Sequence, residues 1–286
     1  MGTDYYFRMG STHSICQDYA LAGESNGIAY AALSDGCSGI SKPEQPGSPY
    51  TDHGARYLVL SAIRNLAAVA ECQYPLTKII VDADAVRRQQ SLPSDSLDAT
   101  LLMVAEKDGV ISTIMTGDGV MVHRTKDSSR RGGLIEYTRR HFEGGMPAYL
   151  NYQIKTSAQA DYLAKSTKYT EYYGTRCCTR ESQLSYVEES EELDNSSVRS
   201  SYSRRTLHKD EVDLVLLFSD GIESFVDNKN GNKPVPLGEV LDVILDMPRM
   251  KGQFISRSCD WFLKKYCAEK GWIHTDDFSC AGISIP

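Results

Sequence analysis

The chain reads as an α+β protein built on antiparallel strands. Three observations lead to that class. Thr100–Ala105 and Val110–Met115 are two short apolar runs joined through Asp108-Gly109, a strong hairpin signal. His53–Glu71 carries apolar residues at helical spacing, at Ala55, Leu58, Val59, Ala62, Ile63 and Leu66. A continuous βαβ alternation, the mark of a parallel sheet, is absent.

Gly27–Leu33 is rich in small and apolar residues and reads as a buried strand that ends at Ser34-Asp35-Gly36. Ile40–Tyr50, with its prolines and glycine, reads as a loop. Pro75 opens a second helix running to about Gln90. After the hairpin, Gly117-Asp118-Gly119 precedes a strand over Val120–Arg124. The stretch 126–210 departs from this regularity. It is rich in Ser, Tyr, Arg and Glu and carries an acidic run at Glu188–Asp194. It reads as a surface excursion or as a flap beside a site, and one segment can be both. Val212–Phe218 is a near-continuous apolar run, a buried strand, ending at Ser219-Asp220-Gly221. Helices over Leu237–Met247 and Gln253–Lys270 follow. A final strand over Phe278–Ile285 is preceded by Asp276-Asp277.

Composition excludes several functions. With 286 residues there is enough chain to bury a real core. The net charge of -7 and the lack of a basic stripe argue against nucleic-acid binding. None of the eight cysteines stands in a Cys-x-x-Cys pair, which argues against a zinc site. Met1–Gly10 lacks the apolar stretch of a signal peptide, and no run of about 18 apolar residues could span a bilayer. A cytoplasmic protein with reduced thiols and no membrane contact is expected.

The chemistry lies in the aspartates. Asp35, Asp118, Asp220 and the pair Asp276-Asp277 each stand where a strand ends or begins, and Asp18 stands ahead of the first strong strand. A charge at a buried strand tip is costly unless it is paired or bound to metal. Glycine follows Asp35, Asp118 and Asp220, allowing a sharp turn or a close ligand. Each Asp-Gly alone reads sooner as a plain turn. Together, oxygen-only ligands suit Mg²⁺ or Mn²⁺. Converging carboxylates can hold two such ions about 3.5–4 Å apart and activate a water between them.

The order of these motifs resembles the PP2C (PPM) family of metal-dependent serine/threonine phosphatases. The resemblance rests on GSTHSICQDYA (Gly10–Ala20), AALSDGCSG (Ala31–Gly39), DATLLMV (Asp98–Val104), MTGDGVMVHR (Met115–Arg124), DLVLLFSDGIESFVD (Asp213–Asp227) and TDDFSCAGISI (Thr275–Ile285). It implies an α-β-β-α sandwich, two antiparallel sheets flanked by helices. It implies one phosphatase domain over 1–286, with a variable flap-like segment at about 126–210. Asp35 would bridge two Mn²⁺ or Mg²⁺ ions, Gly36 would give its carbonyl, and Asp220 and Asp276 would complete the set. Asp118 matches the aspartate of an additional, third metal site, and Asp18 would hold water from behind. A phosphorylated protein is the implied substrate and a monomer the implied state. Where the family usually has a phosphate-gripping arginine this chain has His13, which could take part of that role. Where an acidic residue is usual it has Gln17, and where many members have histidine it has Cys37. The Cys-Gln-Asp form is closer to bacterial members. These departures keep a second reading open, a catalytically weak regulatory or binding module.

Overall fold

A computed structural model gives the fold; it describes all residues except 38–49, 72–74, 127–133, 146, 166–167, 179–183, 195–201 and 247–249. The loop read at Ile40–Tyr50 therefore lies, apart from Tyr50, outside the described residues.

Two antiparallel sheets form the centre. The first holds seven strands in the order β1 (Gly2–Arg8), β15 (Phe278–Ser284), β11 (Val212–Phe218), β6 (Gly119–Thr125), β7 (Ile135–Phe142), β8 (Lys168–Cys178) and β9 (Leu184–Asp194). The second holds five, in the order β10 (Tyr202–His208), β5 (Val110–Thr116), β4 (Leu101–Lys107), β3 (Ile28–Asp35) and β2 (Asp18–Ser25). A small sheet of β12 (Phe225–Asp227), β13 (Lys233–Pro234) and β14 (Trp272–His274) stands apart.

Periodicity explains the layering. In β11, Val215 and Leu217 point into the core between the sheets, while Leu214, Leu216 and Phe218 point outward into a second core. Both faces are buried, which is why the run reads as continuously apolar. The outward face is covered by α5 (Leu237–Leu245) and by α6 (Phe254–Trp261), which continues through a π-turn over Phe262–Tyr266 into α7 (Cys267–Lys270). On the other side, α1 (Thr51–Arg64), α2 (Leu66–Ala70) and α3 (Leu76–Gln89) cover the five-stranded sheet through Leu58, Val59, Ile79 and Ile80. The expected α-β-β-α sandwich is thus present.

The hairpin turn falls on Asp108 and Gly109, both in the left-handed region at φ 53° and 89°. The helix expected over His53–Glu71 is split at Asn65. Its side chain donates to Ser61 O at 2.8 Å and to Asp82 at 2.9 Å, and Lys78 donates to its Oδ1 at 2.6 Å. This polar knot ties the break to α3. The stretch 126–210 carries β7 to β10, which extend both sheets. Its part nearest the site includes the short turns Glu143–Gly145 and Leu150–Gln153, which precede a helix, α4 (Thr156–Leu163). Among the described residues, no helix is long and apolar enough to cross a membrane.

Candidate metal centre

The topology brings the aspartates to one end of the sheet pair. β3 leaves its sheet at Asp35, directly opposite Asp18, where β2 enters. Asp118 sits in the turn that carries the chain from β5 in one sheet to β6 in the other. Its neighbours Gly117 and Gly119 hold φ 78° and 122°, and a Cβ at Gly119 would stand 2.8 Å from the Phe218 carbonyl. Only glycine permits that turn so close to β11. Asp220 lies just past the end of β11 and Asp276 just before β15, strands that are themselves paired.

Asp35, Gly36, Asp118, Asp220 and Asp276 line a single cavity of about 520 Å³. Cys37, Asp98, Thr100, Gly144, Gly145, Pro147, Tyr149 and Tyr152 complete its wall. Asp18 and His13 are not among the lining residues. Asp18 stands behind the cavity and accepts a 2.8 Å hydrogen bond from Ser219 Oγ. His13 bridges the closing motif, its Nε2 at 3.3 Å from Asp276 Oδ1 and its Nδ1 at 3.1 Å from Asp277 Oδ2. Asp277 in turn accepts from the backbone N–H groups of Gly10 at 2.7 Å and Gln17 at 2.6 Å, clamping the first motif to the last. Gln17 has a structural task of its own. Its amide donates to Thr51 Oγ1 at 2.6 Å and to the Cys37 carbonyl at 3.2 Å.

The electrostatics are those of crowded acids. Burial pushes Asp35 well above the usual carboxylate range, and the charges of Asp18 and Asp220 push it further. Burial and Asp220 do the same to Asp118. Asp220 is raised by burial, against a hydrogen bond from Asp35, with Asp276 adding to the rise. Burial lifts Asp18 to about 7, opposed by the hydrogen bond from Ser219. At His13 burial favours the neutral ring, yet the Asp277 hydrogen bond and the nearby carboxylates prevail and raise its pKa. Every shift marks unfavourable negative charge at neutral pH.

Among the described residues, no three carboxylate, imidazole or thiol groups stand at mutual ligand spacing. Asp35 and Asp220 instead share a hydrogen bond. The donor set nevertheless fits a hard divalent cation. The four aspartates supply only oxygen, and Asp18 Oδ1 and Asp220 Oδ1 are buried with no hydrogen-bond partner. A cation would neutralise both the orphaned oxygens and the mutual repulsion.

Sequence reasoning left Asp98, Tyr149 and Tyr152 out of the site. Asp98 had a readable signal, since it precedes β4 as Asp276-Asp277 precede β15. The tyrosines had none, because their approach depends on how the stretch 126–210 folds back.

Comparison with known proteins places this arrangement. Residues 10–141 match the family model for protein phosphatase 2C. A solved bacterial serine phosphatase is similar with a TM-score of 0.51 at 11% identity, over 100% of this chain and 98% of that one. PppA, described as a key regulatory component of T6SS in Pseudomonas aeruginosa, is similar with a TM-score of 0.51 at 14% identity, over 99% and 96% of the two chains. No curated protein matches the chain by sequence. By fold, then, the chain is of the same class as these two proteins. The family-model match over residues 10–141 takes in the first four of the motifs read from the sequence, and the shared fold extends over the whole chain.

Proposed function

We propose that the protein is a metal-dependent phosphatase acting on phosphoserine and phosphothreonine of protein substrates. The observation that carries this reading is the convergence of Asp35, Gly36, Asp118, Asp220 and Asp276 on one cavity that also abuts orphaned carboxylate oxygens. Asp35, the Gly36 carbonyl, Asp220 and Asp276 would hold two Mn²⁺ or Mg²⁺ ions, and Asp118 would serve a third. Ions bound there supply an activated water and neutralise charge on the phosphoryl group.

The rest is done by the chain. Ser219 fixes Asp18, so that its unpartnered Oδ1 can accept a hydrogen bond from water at the back of the centre. His13 and the backbone N–H groups on Asp277 hold the Asp276-Asp277 segment in place. Tyr149 and Tyr152 close one wall against bulk water. Burial keeps the Tyr149 phenol protonated, so its hydroxyl can donate to a substrate oxygen at neutral pH.

The purified protein is expected to release phosphate from a phosphothreonine peptide in Mn²⁺ and to lose that activity in EDTA. Equal turnover in EDTA would overturn the reading. One observation favours the regulatory alternative: no Lys, Arg or His side chain is among the described residues lining the cavity. Tight Mn²⁺ binding by calorimetry without turnover of any phosphopeptide would decide for it.

A further inference from the structure

Resting on the phosphatase reading, we infer that Asp98 is the acid that protonates the departing serine or threonine oxygen. Breaking the ester of an aliphatic alcohol releases a strongly basic alkoxide, so a proton donor at the leaving oxygen is worth a large factor in rate. The cavity holds five carboxyl groups, and four of them form the proposed cation set. Asp98 is the fifth. It sits on the same rim by strand pairing: Gly36 bridges Ala99, and the Cys37 N–H donates to the Asp98 carbonyl at 2.9 Å.

Its side chain is aimed by a residue of the 126–210 stretch. Asn151 Nδ2 donates to Asp98 Oδ1 at 2.6 Å, and donates as well to Ser94 O at 2.9 Å. The charged and titratable groups around it are few. Lys155 faces Asp98 but is ion-paired to Asp95, and the Tyr152 phenol and Cys37 stand on the cavity side. Burial outweighs the Asn151 hydrogen bond and the Lys155 charge, and lifts the carboxyl to about 6. That places an acid near the working pH, where donation is most effective. Tyr149, held well above its ordinary value by burial, is far weaker as an acid.

In the step, water oxygen bonds to phosphorus as the P–O bond to the side chain breaks. The departing oxygen takes the carboxyl proton of Asp98. The proton lost by the attacking water leaves through solvent, and solvent re-protonates Asp98. Products are the free hydroxyl and inorganic phosphate.

The test compares leaving groups in the full chain with Mn²⁺. p-Nitrophenolate departs without a proton; a serine alkoxide does not. Asp98→Asn is expected to lower kcat on a phosphoserine peptide about 10²-fold. On p-nitrophenyl phosphate it should fall far less, so that the ratio of the two rates shifts at least tenfold. KM for the peptide and Mn²⁺ affinity should stay near wild type. The fall of peptide kcat on the alkaline side should flatten. Asp98→Glu, which keeps an acid one methylene further out, should regain part of the peptide activity and serves as the second variant if Asp98→Asn fails to fold. Equal losses on both substrates, or no loss on the peptide, would overturn the assignment. A wild-type protein inactive on both substrates with Mn²⁺ would overturn the phosphatase reading beneath it.

Discussion

The two Ser-Asp-Gly triplets are identical in sequence and different in task. Ser34 donates its hydroxyl to the Thr100 carbonyl and so stitches β3 to the chain entering β4. Ser219 donates to Asp18 and accepts from the Ser279 N–H at 3.0 Å, joining the seven-stranded sheet to a carboxylate of the five-stranded one. The glycines differ too. A Cβ on Gly36 would stand 2.7 Å from Thr51 O, whereas one on Gly221 would stand 1.7 Å from Asp277 O. Neither glycine has a positive φ, so close approach alone excludes a side chain. The first triplet presents a carboxylate and a backbone carbonyl to the cavity. The second locks the closing motif and the rear aspartate around it. A short motif therefore sets where a carboxylate stands, while its neighbours set what its serine and glycine do.

The largest expected effect treats the triplets alike. Asp35→Asn and Asp220→Asn should each cut phosphopeptide turnover by about 10²–10³-fold, as loss of a preorganised electrostatic group does. Calorimetry should show weaker Mn²⁺ binding in both. Retention of most activity by both variants would move the site elsewhere.

The glycines should separate the triplets. Gly221→Ala drives a Cβ into backbone and should cost about 3 kcal/mol in denaturant unfolding, at the upper end for overpacking. Gly36→Ala should cost about 1 kcal/mol, since its contact is looser. Equal losses would show that the two turns relax alike.

The serines should separate them in function. Ser219→Ala strips a partner from buried Asp18 and from the Ser279 N–H, and should lower activity about 10–100-fold, in the range for residues that orient a metal site. Ser34→Ala should cost about 1 kcal/mol of stability and leave metal affinity in place. Mn²⁺ titrations of both variants distinguish the cases.

The smallest effect is the pH dependence of stability. Asp18, lifted to about 7, and Asp35, Asp118 and Asp220, lifted by burial, bind protons more tightly folded than unfolded. Such groups favour the folded state when protonated, and that advantage is lost as pH rises from about 4 through about 7. The metal-free protein should therefore melt lower at pH 8 than at pH 5. Mn²⁺ should raise the melting temperature more at pH 8. A rise of equal size at both pH values would contradict linkage to these carboxyls.

Much of this was readable in the sequence because it depends on local pattern. β3, β11 and β15 are apolar runs stopped by polar triplets or pairs, so their aspartates had to fall at sheet ends. The same logic finds the Asp108-Gly109 turn. It does not find β8 and β9, whose outer faces are polar and whose pairing lies at the sheet edge, exposed through residues such as Val187 and Glu189. It misses β2, where Asp18–Ser25 mixes small and polar residues and is held by β3 rather than by its own periodicity. It places Asp98 ahead of β4 but not its aim, which comes from Asn151, 53 positions away. Contacts between distant segments carry what pattern alone does not.

The most direct measurement of the central claim is anomalous scattering from crystals soaked in Mn²⁺. Peaks are expected in the cavity between Asp35 and Asp220, within ligand distance of the Gly36 carbonyl and Asp276. Saturating Mn²⁺ that leaves this cavity without anomalous density, or that places the ion among other residues, would contradict it.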